Sequence, residues 1–190
     1  MSIITDGTGS GFRAEVTARN ELAVASVSQD IYERAAEDGR AFNLNTEAVA
    51  YSGTGPYSAT ALYVKNNEIT DIEVVGWFIG EKNDRAGGST SEPVLFEMYG
   101  NPTGTPTGTN AAVVNRRIGA PRQFLIDALS NVSGLTVSGD PLLYQYHYSG
   151  RGFGTVNFTI PAGQSIALIA NIPCNTLTFY TGFTGFVRAD

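Results

Sequence analysis

An all-β fold is what this 190-residue chain predicts. The type is an antiparallel β-sandwich, jelly-roll-like, with an extended N-terminal arm and one short helix. Three observations carry it. From residue 41 onward apolar and polar residues alternate in short segments, the period of half-buried strands. Turn-forming residues punctuate those segments, with 22 glycines and 8 prolines in the chain. Crossover helices are nearly absent, so neighbouring strands pair antiparallel. Hydrophobic residues make up 42% of the chain, enough for a sizeable core in one domain. Charged residues make up 16%, against roughly 25% in an average domain.

The first element is "ITDGTGSGF" (4–12), with Gly7, Gly9 and Gly11. A phosphate-cradling loop needs a buried strand before it and a helix after it. Only Ile3 and Ile4 precede these glycines, "FRAEVTARNELAVASV" follows with alternation, and no Lys-Ser/Thr pair closes the loop. Residues 1–11 therefore read as a loop or arm. "AEVTA" and "ELAVASV" predict a short hairpin or two extended pieces. Ser28 offers an N-cap oxygen to "QDIYERAAED", where Ile31, Tyr32 and Ala35 line one side. Gly39 supplies the stop. A helix of about ten residues is marginal alone in water, so it should dock on something. This arm and helix occupy residues 1–40, and the sandwich occupies 41–190.

Within the sandwich, "AFNLNT" and "ATALYVKNN" alternate; Leu62 and Val64 share one face, Tyr63 and Lys65 the other. "ITDIEVVGWFIG" is the longest apolar stretch and predicts a central strand with Trp77 in the core. "EKNDRAGGSTSE" (81–92) lacks periodicity and predicts an exposed loop. "PVLFEMYG" is a strand. "NPTGTPTGTN" (101–110) is read as a loop, because its prolines and glycines disfavour a ladder. "AAVVN" is extended. "RRIGAPRQFLIDALSNVSG" permits one helical turn near "FLIDAL" or another strand. "LLYQYHYSG", "GTVNFTIPAG", "QSIALIANIP" and "TLTFYTGFTGFVRAD" complete the set.

Charge and composition exclude several classes. The net charge of −6 disfavours nucleic-acid binding, which calls for a basic excess. No apolar run approaches the roughly 20 residues of a membrane span. The start "MSIITDG" lacks the features of a signal peptide, predicting synthesis in a cytoplasm. Cys174 is the one cysteine, so no internal disulfide forms, and a buried apolar site suits it. Residues 129–190 carry only Asp140, Arg151, Arg188 and Asp190 as formal charges. Burial within the domain or against neighbouring subunits accounts for such a segment, since interface cores are depleted of charge.

Catalytic chemistry finds little support. His147 is the one histidine; it lies on an alternating strand, with no G-x-S-x-G elbow in the chain to pair with it. A zinc site would need mostly carboxylates, and neither "NNEITDIE" nor "EKNDRAGG" matches a calcium loop. No cofactor or metal is expected, and no enzymatic activity. The 19 tyrosines and phenylalanines suit core and inter-subunit packing, with a sugar-stacking face as the alternative use. Arg116, Arg117 and Arg122 form the one basic cluster, suited to an acidic partner surface or to a solvated loop.

"ITDGTGSGFRAEVTARNELAVASVS", a short acidic segment and "GRAFNLNT" together resemble the start of virion structural proteins of tailed bacteriophages. "ALYVKNNEITDIEVVGWFIG", "EMYGNPTGT" and "VNFTIPAGQSIAL" resemble the β-domain that follows in them. The resemblance implies a non-enzymatic virion protein whose partners are the major capsid protein or other virion proteins. Capsid decoration as a homotrimer is the leading expectation, and a tail or baseplate component is the next. A carbohydrate-binding host-recognition module is the alternative from another class. In this frame the glycines let an arm run along another subunit. The alternating residues after them suit strand addition to a partner's sheet. Phe12, Arg13, Val16, Leu22 and Val24, together with Arg116, Arg117 and Arg122, are the candidate partner-binding residues. The aromatic strands "LLYQYHYSG" and "TLTFYTGFTGFV" are expected to face neighbouring copies.

Overall fold

The computed structural model describes residues 3–5, 13–16, 22–25, 31–82 and 84–189, the first three of these segments by backbone alone. The chain divides into two compact units, Met1–Arg34 and Ala35–Asp190. In the first unit, β1 (Ile3–Thr5), β2 (Arg13–Val16) and β3 (Leu22–Ala25) form a three-stranded antiparallel sheet in that order. The hairpin expected around "RN" is β2–β3, with Val16 opposite Leu22. The loop expected over residues 1–11 is corrected at Ile3–Thr5, because Arg13–Val16 offers a partner ladder that pairs Ile3 with Glu15.

Among the described residues the helix α1 runs over Ile31–Glu37, within the expected 29–38, of which residues 29 and 30 lie outside the described part. Its proposed N-cap, Ser28, lies outside the described residues. Its end is chemically explicit. Gly39 sits at φ +71° and donates its N–H to Ala36 O at 3.1 Å, while the Arg40 N–H reaches Ala35 O at 2.7 Å. That bond pair is the Schellman stop, which needs a residue free to turn left-handed. Arg40 then fixes the exit through Nη1, which donates to Val187 O at 2.7 Å.

The second unit is an antiparallel sandwich. Its strands are β4 (Ala41–Asn45), β5 (Val49–Ser52), β6 (Tyr57–Asn66), β7 (Ile72–Glu81), β8 (Ala86–Gly88), β9 (Val94–Gly100), β10 (Thr103–Asn110), β11 (Ala112–Asn115), β12 (Ile126–Thr136), β13 (Leu143–His147), β14 (Arg151–Ile160), β15 (Ser165–Ile172) and β16 (Cys174–Val187). One sheet runs β10-β12-β6-β15-β9-β13. The other runs β11-β4-β16-β7-β14, with β5 and β8 also paired to β16. Setting aside β5, β8 and the β10–β12 segment leaves β6-β15-β9-β13 facing β4-β16-β7-β14. Among these eight strands the chain steps from one sheet to the other at every connection except β9–β13. This is jelly-roll connectivity.

The core lies between the two inner faces. Phe96 on β9 stands edge-on to Trp77 on β7 (5.6 Å) and to Phe179 on β16 (5.3 Å), so the sheets interlock through aromatic rings. Trp77 is buried as expected, and its indole N–H donates to Thr181 Oγ1 at 2.7 Å. Thr181 Oγ1 in turn donates to Phe78 O. A buried polar tip is thus satisfied within the sheet it comes from. Cys174 is fully buried, and burial raises its thiol pKa above the ordinary value.

Two strand expectations are corrected. Residues 103–110 form β10, because an edge strand tolerates proline and the ladder to β12 shifts register on either side of Thr107. The described residues of 81–92 are largely exposed, as expected, but include a short strand: Ala86–Gly88 pairs with β16, and Asp84 Oδ1 accepts the Thr178 N–H at 2.9 Å. Of the two readings of "FLIDAL" the strand holds, leading into β12, where Ile126, Ala128, Ser130 and Val132 alternate inward. A third correction concerns "TLTFYTGFTGFV". It runs to the end of β16, which lies between β4 and β7, and Leu177, Phe179 and Phe183 enter the core. Tyr180 is its one aromatic left half-exposed.

Candidate functional site

The residues expected to bind a partner fall in two groups. Phe12 lies outside the described residues. Arg13 and Val16 lie on β2, Leu22 and Val24 on β3, and their side chains are likewise outside the described part. Of the arginines, Arg117 spends Nη1 on Glu37 O at the end of α1 (2.6 Å). Arg122 pairs with Glu68 (3.1 Å) and lies over the Phe124 ring at 5.6 Å. Arg116 is exposed beside them in sequence. The Arg117 and Arg122 guanidinium groups therefore brace the chain's own loops.

A surface the sequence does not reveal lies on the outer side of β14-β7-β16-β4-β11. Register places Phe153 opposite Phe78, Phe78 opposite Gly182, Gly182 opposite Asn45, and Asn45 opposite Ala112. The next level reads Thr155, Gly76, Thr184, Asn43 and Val114. Neither row contains a charged residue. The glycines have a use here. A Cβ on Gly80 would run into the Tyr180 ring, and one on Gly182 would strike Leu44 O and the Phe78 ring. Their absence lets these aromatic side chains lie close over the backbone. Tyr180 and Phe78 sit 6.3 Å apart, and Phe153 is 72% exposed at the sheet edge. The outer face of a solvated antiparallel sheet is ordinarily polar and charged.

At the rim between β13 and β14 a cleft of about 150 Å³ is lined by Trp77, Leu143, Gln145, His147, Phe153 and Val156. His147 is buried, and its Nε2 has no hydrogen-bond partner; the nearest carboxylate oxygen is Glu81 Oε2 at 3.7 Å. Glu81 is already committed to Arg85 through Nε–Oε1 (2.5 Å) and Nη2–Oε2 (2.7 Å). Both side chains are nearly dry, at 1% and 8% exposed. Arg85 also donates to Glu92 O, which ties the 81–92 segment down. Burial lowers the pKa of His147 from its ordinary 6.5; Glu81 acts against that shift and Arg85 with it. Burial thus disfavours the protonated imidazole, and the Glu81–Arg85 pair beside it braces the rim. Among the described residues no group of three or more His, Cys, Asp or Glu is placed to hold a metal ion. Among them, too, no helix is long and apolar enough to cross a membrane.

The outer face of the other sheet is different in kind. Asn171 on β15, Glu97 and Tyr99 on β9, and Tyr144 and Tyr146 on β13 all point away from the core, with Tyr144 opposite Glu97 and Tyr146 opposite Leu95. A chain of hydrogen bonds crosses three strands. Ser58 Oγ donates to Asn171 Oδ1 (2.5 Å), and Asn171 Nδ2 donates to Glu97 Oε2 (2.8 Å). Tyr99 OH adds a longer contact to the same carboxylate oxygen (3.4 Å). Burial and the nearby Glu97, Tyr144 and Asp140 raise the Tyr99 pKa. Tyr144 and Tyr146 are 57% and 58% exposed. No protein-family model matches the chain, and no curated protein matches it in sequence.

Proposed function

We propose that this chain is a non-enzymatic structural protein of a tailed-bacteriophage virion. In this reading it is made in the host cytoplasm and binds the capsid exterior as a homotrimeric decoration protein. The observation that supports it is the pair of uncharged rows on the outer face, Phe153 through Phe78 to Ala112 and Thr155 through Gly76 to Val114, flanked by Arg151 and Tyr180 at the level of Gly80. Aromatic and small neutral side chains without charge form the composition of an interface centre. A closed ring of like subunits covers such a face with one repeated contact. The resemblance of the N-terminal and β-domain motifs to virion structural proteins supplies the particle. The net charge of −6 fits a protein partner better than packaged nucleic acid. Quantitative analysis of purified particles tests the location. Hundreds of copies per particle are expected for decoration, whereas tens or fewer would assign the chain to the tail or baseplate. Absence from particles would reject the virion role.

A further inference from the structure

We infer that the outer face of β9 and β13 is a binding platform for a neutral glycan, with Tyr144 and Tyr146 stacking on sugar rings and Glu97 accepting sugar hydroxyls. The argument starts from what the face lacks. Glu97 and Asp140 form no ion pair among the described residues. Lys65, on the same side of the sheet, lies on β6, two strands from β9, and stands opposite Asp127 on β12. A second copy docking through this same face would strip water from unpaired carboxylates without returning a cation, and that cost is several kcal/mol per ion. A sugar returns hydroxyl donors to each oxygen instead.

The tyrosines supply the other half of the chemistry. Tyr144 and Tyr146 are two residues apart on one strand face, so their Cα atoms stand about 7 Å apart. Each offers an apolar ring for C–H faces and a hydroxyl that stays wet. The Ser58–Asn171–Glu97 bonds fix the carboxylate before any ligand arrives, which reduces the ordering cost of binding. The carboxylates and the net charge of −6 repel uronic or sialic acids, so the ligand is uncharged.

The test is affinity electrophoresis of the full chain through gels containing dextran, mannan, galactomannan or mixed-linkage β-glucan, with alginate as the anionic control. Retardation by at least one neutral polysaccharide and none by alginate is expected. The double variant Tyr144→Ala/Tyr146→Ala should bind at least tenfold more weakly at an unchanged Tm, since both rings are solvent-facing. Glu97→Gln should weaken binding as well. No retardation in any neutral gel would overturn the inference. So would retardation that survives the double substitution, or a double variant whose native mass falls, which would make this face a contact between copies. The site does not depend on the particle role, and copy number in virions should be the same for wild type and the double variant.

Discussion

Arg85 and Glu81 illustrate how much one residue can hold. The pair is doubly bonded and nearly dry, and Arg85 extends to the Glu92 carbonyl. Arg85→Ala would leave a buried carboxylate uncompensated, a loss of about 3–5 kcal/mol. Urea unfolding of the variant measures it; a loss under about 1 kcal/mol would match a surface pair instead. His147 adds a pH signature. Its folded pKa lies below the ordinary 6.5, so the folded state refuses a proton that the unfolded state accepts. Its contribution to stability is fully present above pH 6.5 and is lost as pH falls from there through the folded pKa. The Tm should therefore drop between pH 7.5 and 5.5. In His147→Gln that drop should be shallower, with Glu81 and Arg85 still in place; equal drops would assign the slope to other groups. His147 was visible in the sequence as a lone strand histidine. Its partners were not, because Glu81 ends β7, Arg85 follows it, and only the sandwich rim brings β13 alongside.

Among the elements, β16 decides whether the sandwich closes. It pairs with β4, β5, β7 and β8, and it sends Leu177, Phe179 and Phe183 into the core. Phe183→Ala should cost about 3–5 kcal/mol, as for other buried aromatics. Thermal or chemical denaturation measures it, and a loss below about 1 kcal/mol would contradict its burial. Strand identity was legible here, since alternation and β-branched residues are local signals. Strand position was not: nothing in "TLTFYTGFTGFV" says which strands flank it, and an aromatic row reads the same at an interface and in a core. The stop at Gly39 was legible because a left-handed residue is needed wherever a helix ends this way. The β10 ladder was hidden by the opposite logic. Pro106 and its neighbouring glycines argue against strand in isolation, yet an edge with shifted register accommodates them. The glycan face was legible only in its parts, as register alone sets Tyr144 beside Glu97.

For the whole molecule, the two sheets present two unlike exteriors. One carries uncharged rows with aromatic side chains, proposed for self-assembly; the other mixes tyrosines with carboxylates. Separate substitutions should separate the roles. Phe153→Asp, at 72% exposed, should leave the fold intact and release monomers from a trimer of three 20.2 kDa chains. Light scattering at micromolar concentration reads the outcome. A wild-type mass of one chain would reject the trimer in solution.

The central place of β16 also has a consequence in time. During translation β4, β5, β7 and β8 leave the ribosome well before residue 174, and each then waits for the strand that joins them. Leu44 cannot meet Phe183 until the residues between them have been made. The nascent chain therefore carries open, aromatic-rich edges over that interval, the state that chaperones shield and proteases sample. Slowing elongation between β4 and residue 174 should therefore lengthen the vulnerable interval.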